Sequence, residues 1–492
     1  MSLCTDLPLW QSSPVCLRPF RISNIHMSRQ IDTIVIGAGW AGAVAARRLA
    51  QKGRKVIIVE ARDRIGGRAR TYEEGMHAPV DLGCSWIHGY KEGNPTKGIA
   101  KELGTATHLS QPTESVIYDQ EGRLTQAATT DLQSSLSKTH AAARSYARDT
   151  PASSISASTS LASFFFNSQS SINASPAASS AKSLARMLEI PFGVELERVS
   201  LRWTGWEDNF AGSDAAPEGG FQRLVEKVVE AATETGNAEV KLGETVNIVV
   251  QEYAGVKVAT NKGATYKAKT VLCTIPLGVL KQRAATLFEP ALPKRRTEVI
   301  EGTHVGVLEK LCLVYEQAWW PDAATVGSFT FLPTKSSAED SAASVLDANT
   351  IVAASYAAPS LPKPHPTVFF YLSPSPALGL APYSLEEVTS AAHDFLVRRI
   401  QPAITPPPPS ASVRTEWHKD PLSLGATTTP SIIGEGRGPL DFAELGKPLW
   451  DGRLAFAGEH TEMNHRGSVA GAVISGLREA DRIHAYLDKL TS

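Results

Sequence analysis

Thr33-Ile34-Val35-Ile36-Gly37-Ala38-Gly39-Trp40-Ala41-Gly42 opens the stretch, residues 33–68, on which the chain is organised. The β-branched run Thr33 to Ile36 has the pattern of a buried parallel strand, and an alanine-rich segment to about Lys52 has that of a helix stopped by Gly53. Lys55-Val56-Ile57-Ile58-Val59 reads as a second strand ending on Glu60. Gly-x-Gly-x-x-Gly therefore falls inside the opening of a βαβ unit with an acid at the spacing of a dinucleotide fold. Gly37 permits the tight turn, Gly39 lets the backbone approach a pyrophosphate, and Gly42 lets helix and strand pack closely. The pyrophosphate is expected at the helix N-terminus, where free N–H groups and the macrodipole favour an anion. Glu60 is expected to accept hydrogen bonds from ribose hydroxyls, and its charge disfavours the 2′-phosphate of NADP.

Ala61-Arg62-Asp63-Arg64-Ile65-Gly66-Gly67-Arg68 resembles the second fingerprint of the flavin-dependent amine oxidase family. Three later stretches resemble that family in the same order: Asp81 to Gly89, Val271-Leu272-Cys273-Thr274-Ile275-Pro276-Leu277-Gly278-Val279-Leu280-Lys281, and Leu454 to Thr461. The resemblance implies an α/β, two-domain FAD-dependent amine oxidase fold, with a Rossmann-like FAD domain and an α+β substrate domain. It assigns 27–95, 215–290 and 415–492 to the FAD domain and 96–214 and 291–414 to the substrate domain; residues 1–26, ahead of Met27, read as a disordered extension. It further implies that Arg62, Gly67, Arg68, Val246, Gly458, Glu459, Ser468 and Val469 join Gly37, Gly39, Gly42 and Glu60 in binding FAD. A helix starting near Ser468-Val469 would point its positive end at the flavin and stabilise the reduced, negative form.

For the chemistry, the resemblance places Lys310 beside the flavin, holding a water against it. His88 is placed at the substrate amine as a second catalytic candidate and a substrate-binding residue. Glu207 and Asp208 are candidates for neutralising a distal ammonium, and Trp417 for one wall of the substrate site. Departures from the family pattern fall at Asp420-Pro421-Leu422-Ser423-Leu424-Gly425-Ala426-Thr427 and at Ser468, where some members carry tyrosine. Monoamine oxidases attach FAD through a late cysteine, whereas no cysteine follows Cys312 here, so the FAD is expected to be noncovalent.

Composition bounds the partners. A formal net charge of -1 gives no electrostatic case for nucleic acid or an anionic membrane, and no apolar run is long enough to span a bilayer. Cys4, Cys16, Cys84, Cys273 and Cys312 show no metal-ligand spacing and suit a reducing, intracellular compartment, taken as cytoplasmic. Met27 reads as a conventional start, with mitochondrial import by the preceding residues left open; Leu490-Thr491-Ser492 is not a peroxisomal address. Residues 125–182, rich in serine and alanine, read as loosely specified helices or a mobile loop.

The expected partners are thus a small-molecule amine and O2. The first expectation is FAD-dependent oxidation of a polyamine. A monoamine or other bulky primary-amine oxidase, a lysine demethylase-like oxidase suggested by Gly476-Leu477-Arg478-Glu479-Ala480, and a catalytically silent FAD-binding protein are the alternatives.

Overall fold

In the computed structural model, Ile31–Ile36 forms the expected strand, and its alternation sends Ile34 and Ile36 to one buried cluster and Val35 to the opposite one. The structure describes residues 30–334, 340–359, 361 and 363–490, so the extension at 1–26 and the start at Met27 lie outside the described residues. Burial on both faces marks a central parallel strand. Ile31–Ile36 pairs in parallel with Val56–Val59 on one side and Thr265–Cys273 on the other. Ala238–Lys241 continues the parallel order beyond Val56–Val59, and Leu454–Phe456 pairs in parallel with Val271 to Cys273. The antiparallel strands Val246–Glu252 and Gly255–Thr260 adjoin the first half of Thr265–Cys273. Residues 240–258, which alternate like one set of paired strands, are thus divided between two sides of the sheet, Val240 beyond Val56–Val59 and Val246 to Val258 beyond Thr265–Cys273.

Helices Trp40–Gln51, Gly220–Thr233 and Val469–Lys489 cover one face of this sheet. The first and last cross so closely that a Cβ on Gly476 would lie 2.4 Å from the Ala41 carbonyl oxygen. Small residues at the crossing are therefore a packing requirement.

A second sheet runs in the order Ala411–Arg414, Glu309–Val314, Thr367–Leu372, Ile351–Ser355, Val326–Phe331, Glu114–Tyr118. It is antiparallel except at its last pair. One face holds Leu311, Leu313, Phe329 and Phe370 against the helix Leu385–Ile400, and the other carries Cys312, Val314 and Phe369 towards Val80 and Leu82. This second face presents Lys310 to the segment that follows the first βαβ unit.

Of the two expectations for 125–182, helices are what form. Gln126–Asp149 is a helix capped by the Thr125 hydroxyl on the Ala128 N–H. Its buried residues Thr129, Leu132, Leu136, Thr139 and Ala143 recur at helical spacing and pack with Leu161, Phe165 and Leu184. No helix among the described residues is long and apolar enough to cross a membrane.

Candidate active site

The cradle begins at the first strand-to-helix turn. Gly37 has φ +104°, and a Cβ there would lie 2.5 Å from Thr274 Oγ1. A Cβ on Gly42 would lie 2.0 Å from the Gly37 carbonyl oxygen. Gly39 differs: its nearest neighbour would be the Gly66 carbonyl oxygen at 3.8 Å, so the protein itself leaves that position open. Gly39 also supplies the N-cap of Trp40–Gln51, and no side chain caps the first amides of this 12-residue helix. An open glycine and an uncapped helix end fit a pyrophosphate.

Glu60, 6% exposed, accepts the Ala38 N–H at 2.7 Å and the Arg62 N–H at 2.8 Å on separate oxygens, which leaves lone pairs on both for ribose hydroxyls. Val246 lies close by, because Gly243 and Glu244 N–H groups bond the carbonyls of Arg62 and Glu60. Gly67, at φ +60°, packs against Gly39, its Cβ position 3.5 Å from the Gly39 Cα. Arg68 reaches the Ala426 carbonyl at 2.9 Å and Glu459 at 3.0 Å. Burial alone would raise the Glu459 carboxyl, but Arg68, His460 and the Thr428 hydroxyl outweigh it and hold it below the usual range. Gly458 precedes it at φ +144°, its Cβ position 2.6 Å from the His460 ring. Arg62 is turned to Asp420 at 2.6 Å and Ser423 at 3.0 Å, so its guanidinium is held by protein partners.

Lys310 is 6% exposed on the inner face of the second sheet. Its Nζ donates to the Asp81 carbonyl at 2.9 Å, the Gly83 carbonyl at 2.7 Å and Ser85 Oγ at 2.6 Å. All three ammonium protons thus have protein acceptors, and a water can be held only by replacing one of them. Phe369 and Tyr371 place their rings 5.8 and 5.4 Å from Nζ. Burial pushes Lys310 down to about 8, with the Asp81 charge opposing. The Asp81 carboxyl itself turns to Thr71 Oγ1 and the Phe221 N–H, and burial raises it to about 6.

The segment after Ser85 carries the chain into a cleft with about 100 Å³ of free volume, lined by Trp86, His88, Glu207, Asp208, Arg466, Ser468 and Val469 among others. His88 is exposed and its Nδ1 meets Asp214 at 2.9 Å. Ser468 caps Val469–Lys489 by accepting the Gly471 N–H at 3.0 Å, and both Ser468 and Val469 line the cleft. Two expectations need correction. Glu207 is paired with Arg466, whose side chain is 6% exposed, so its charge is already neutralised. Trp417 lines a separate cavity of about 400 Å³ with Arg62, Arg70, Arg414 and Asp420, and not the cleft of His88.

The cleft also holds residues that motif reading passed over. Phe210 and His465 stack with centroids 4.6 Å apart and planes 10° apart, and His465 Nδ1 donates to the Asp208 carbonyl at 2.9 Å. The only signal was their place in the chain, with Phe210 closing the Trp-rich stretch and Asn464-His465-Arg466 preceding the last helix.

The chain matches the family model described as flavin containing amine oxidoreductase over residues 40–484. Polyamine oxidase 2 of Arabidopsis thaliana is 29% identical over 471 residues, covering 92% of this chain and 88% of its relative. Lysine-specific histone demethylase 1 homolog 3 of Oryza sativa subsp. indica is also 29% identical, covering 93% of this chain but 54% of the demethylase. Among solved structures, cyclohexylamine oxidase from Brevibacterium oxydans superposes with a TM-score of 0.72 at 21% identity, covering 94% of this chain and 100% of that one. A redesigned putrescine oxidase gives 0.70 at 20% identity, covering 92% and 99%. Matched to that model over residues 40–484, this chain belongs to the flavin-containing amine oxidoreductase family and is an amine oxidase.

Proposed function

We propose that the amine is a polyamine. Bound FAD would accept the hydride that leaves the amine-bearing carbon, the resulting imine hydrolysing to an aldehyde while O2 is reduced to H2O2. The observation that carries the choice of substrate is the polar cleft beside Trp86. Exposed Asp208 and the Asp214-backed His88 offer one carboxylate and one polarised ring to a distal ammonium, and Phe210 with His465 offers an apolar wall. The reacting nitrogen must shed its proton before hydride can leave, since an aliphatic amine near pKa 10 is charged at neutrality. Burial pushes Lys310 down to about 8, so it can exchange a proton near working pH.

A peroxide-coupled screen of spermine, spermidine, their N-acetyl derivatives, benzylamine and a methyl-lysine peptide tests the reading. A polyamine is expected to give the highest kcat/KM; benzylamine or the peptide leading would overturn it. Asp208→Asn should raise KM for the polyamine about two- to fivefold, the worth of one exposed charge pair, and leave a monoamine unchanged. Glu207→Gln is a poorer probe, because it strips the partner from the buried Arg466 guanidinium.

The FAD is expected to be noncovalent. Burial pushes the Cys84 and Cys273 thiols up to about 12 and raises Cys312 as well, so none of the three is a thiolate near neutrality. Acid precipitation should release all the flavin to the supernatant, and yellow colour retained in a washed pellet would contradict this. Glu60→Ala should leave the Ala38 and Arg62 amides without their acceptor, at about 1–3 kcal/mol for each group left unsatisfied. Its measure is FAD occupancy after dialysis, and unchanged occupancy would count against a ribose role.

A further inference from the structure

Glu309 precedes Lys310 in the strand Glu309–Val314, and its side chain is 2% exposed. A carboxylate so buried has to be satisfied by donors, and this one has four. Oε2 accepts the Thr415 hydroxyl at 2.6 Å and the Trp417 N–H at 2.9 Å; Oε1 accepts the His418 N–H at 3.0 Å and its Nδ1–H at 2.8 Å. The two main-chain donors are the leading amides of a helical turn that closes with Lys419 and Asp420 N–H groups on the Glu416 carbonyl, both at 3.0 Å. Such amides have no partner within their own turn. Glu309 supplies it from another strand.

The Thr415 hydroxyl has one proton and gives it to Glu309, so it meets the Lys310 N–H as an acceptor, at 2.8 Å. The Thr415 N–H returns to the Lys310 carbonyl at 2.9 Å. The carboxylate is therefore coupled to the main chain on both sides of the Lys310 Cα. At its other end the same turn carries the buried Trp417 ring and Asp420, which holds Arg62. Arg62 in turn gives its N–H to Glu60, so one side chain links the Lys310 strand to the nucleotide end of the cradle.

We propose that Glu309 is a positioning residue for amine oxidation: it locks the turn of residues 415–420 onto the Lys310 strand and so sets the stance of the Lys310 ammonium. This rests on Lys310 standing at the reaction centre. Glu309 acts through Lys310, its own carboxylate oxygens being taken by Thr415, Trp417 and His418.

The test uses the FAD-loaded full chain, with two variants and two readouts. In Glu309→Gln the amide nitrogen replaces one oxygen and would face either the Trp417 N–H or the His418 N–H and ring, so exchange of at least one of those two amides should quicken about tenfold. Flavin reduction by a saturating amine should slow about tenfold in the parent background and less than about twofold in Lys310→Met, the non-additivity of residues that act as a unit. Thr415→Val removes the hydroxyl that joins Glu309 to the Lys310 N–H and leaves the Trp417 and His418 amides on the carboxylate. It should keep both amides protected, yet show the same non-additive slowing, and it carries the cycle alone if Glu309→Gln does not fold. Equal slowing in both backgrounds would reduce Glu309 to a structural residue, and unchanged exchange in Glu309→Gln would remove the clamp. A parent whose flavin no amine reduces would defeat the oxidase reading instead, and the exchange arm would still decide the clamp.

Discussion

Lys310→Met is expected to leave FAD bound while slowing amine-driven flavin reduction roughly 100-fold, the lower range for losing a positioned proton-transfer group. Methionine suits a site walled by Phe369 and Tyr371, and it removes a buried charge at the same time. The cost is the loss of the shortest donor to the Asp81 and Gly83 carbonyls, which keep the Ser85 hydroxyl at 3.2 and 3.3 Å. The pH dependence separates the roles. In the parent, the reduction rate should rise with pH through about 8 as Lys310 loses its proton, then again towards the substrate's own titration. Only the second rise should remain in the variant. Stability follows the same group. Its folded pKa is depressed from 10.5 to about 8, so the unfolded chain binds more protons within that window and parent stability rises with pH across it. Below pH 8 the full burial penalty of roughly 3 kcal/mol is present, and above 10.5 it is gone. Thermal melts of parent and variant from pH 7 to 10.5 check this, and parallel curves would contradict it. A variant with unaltered reduction rate and pH profile would remove Lys310 from the chemistry.

Gly42→Ala is expected to abolish FAD retention and to destabilise the chain by at least the roughly 1–3 kcal/mol of ordinary overpacking. The added Cβ would sit 2.0 Å from the Gly37 carbonyl oxygen and 3.1 Å from Val35 Cγ1. The first of these belongs to the backbone of the turn itself and cannot yield without moving the helix off the strand. Gly98→Ala is the matched control. Gly98 lies exposed inside the helix Pro95–Glu102 with no neighbour within 4 Å of its Cβ position, so alanine should stabilise by about 0.5–1 kcal/mol. Flavin absorbance and melting temperature of the two variants provide the comparison; a yellow Gly42→Ala melting with the parent would refute the packing argument.

How much of this was legible follows the range of the interactions. The strand Ile31–Ile36, its glycine turn and the helix after it are local, written in β-branching, glycine spacing and alanine content within some twenty residues. The last helix and the strand carrying Lys310 were legible for the same reason. The helix Pro95–Glu102 starts earlier than its apolar residues suggest, because Asn94 caps it through the Thr96 and Lys97 amides. The helix Gln126–Asp149 was ambiguous because two of its five buried positions are threonine and one is alanine, so its apolar stripe is faint in composition.

Long-range polar pairing leaves no such trace. Glu309 and Thr415 are 106 positions apart and Glu207 and Arg466 are 259 apart, and no periodicity joins them. Glu207 and Asp208 read alike as adjacent acids, yet the fold hands one to a buried arginine and leaves the other in the open. Trp417 has its N–H on Glu309, 108 positions away, and lines a cavity with Arg62 and Asp420 that no local pattern announces.

Anaerobic stopped-flow mixing of the yellow holoprotein with spermidine tests most directly that this chain removes hydride from a polyamine. Full bleaching of the flavin band is expected at saturating spermidine, faster than with benzylamine at every pH from 7 to 9. Flavin that stays oxidised with spermidine and spermine alike, or that is bleached faster by benzylamine, would contradict it.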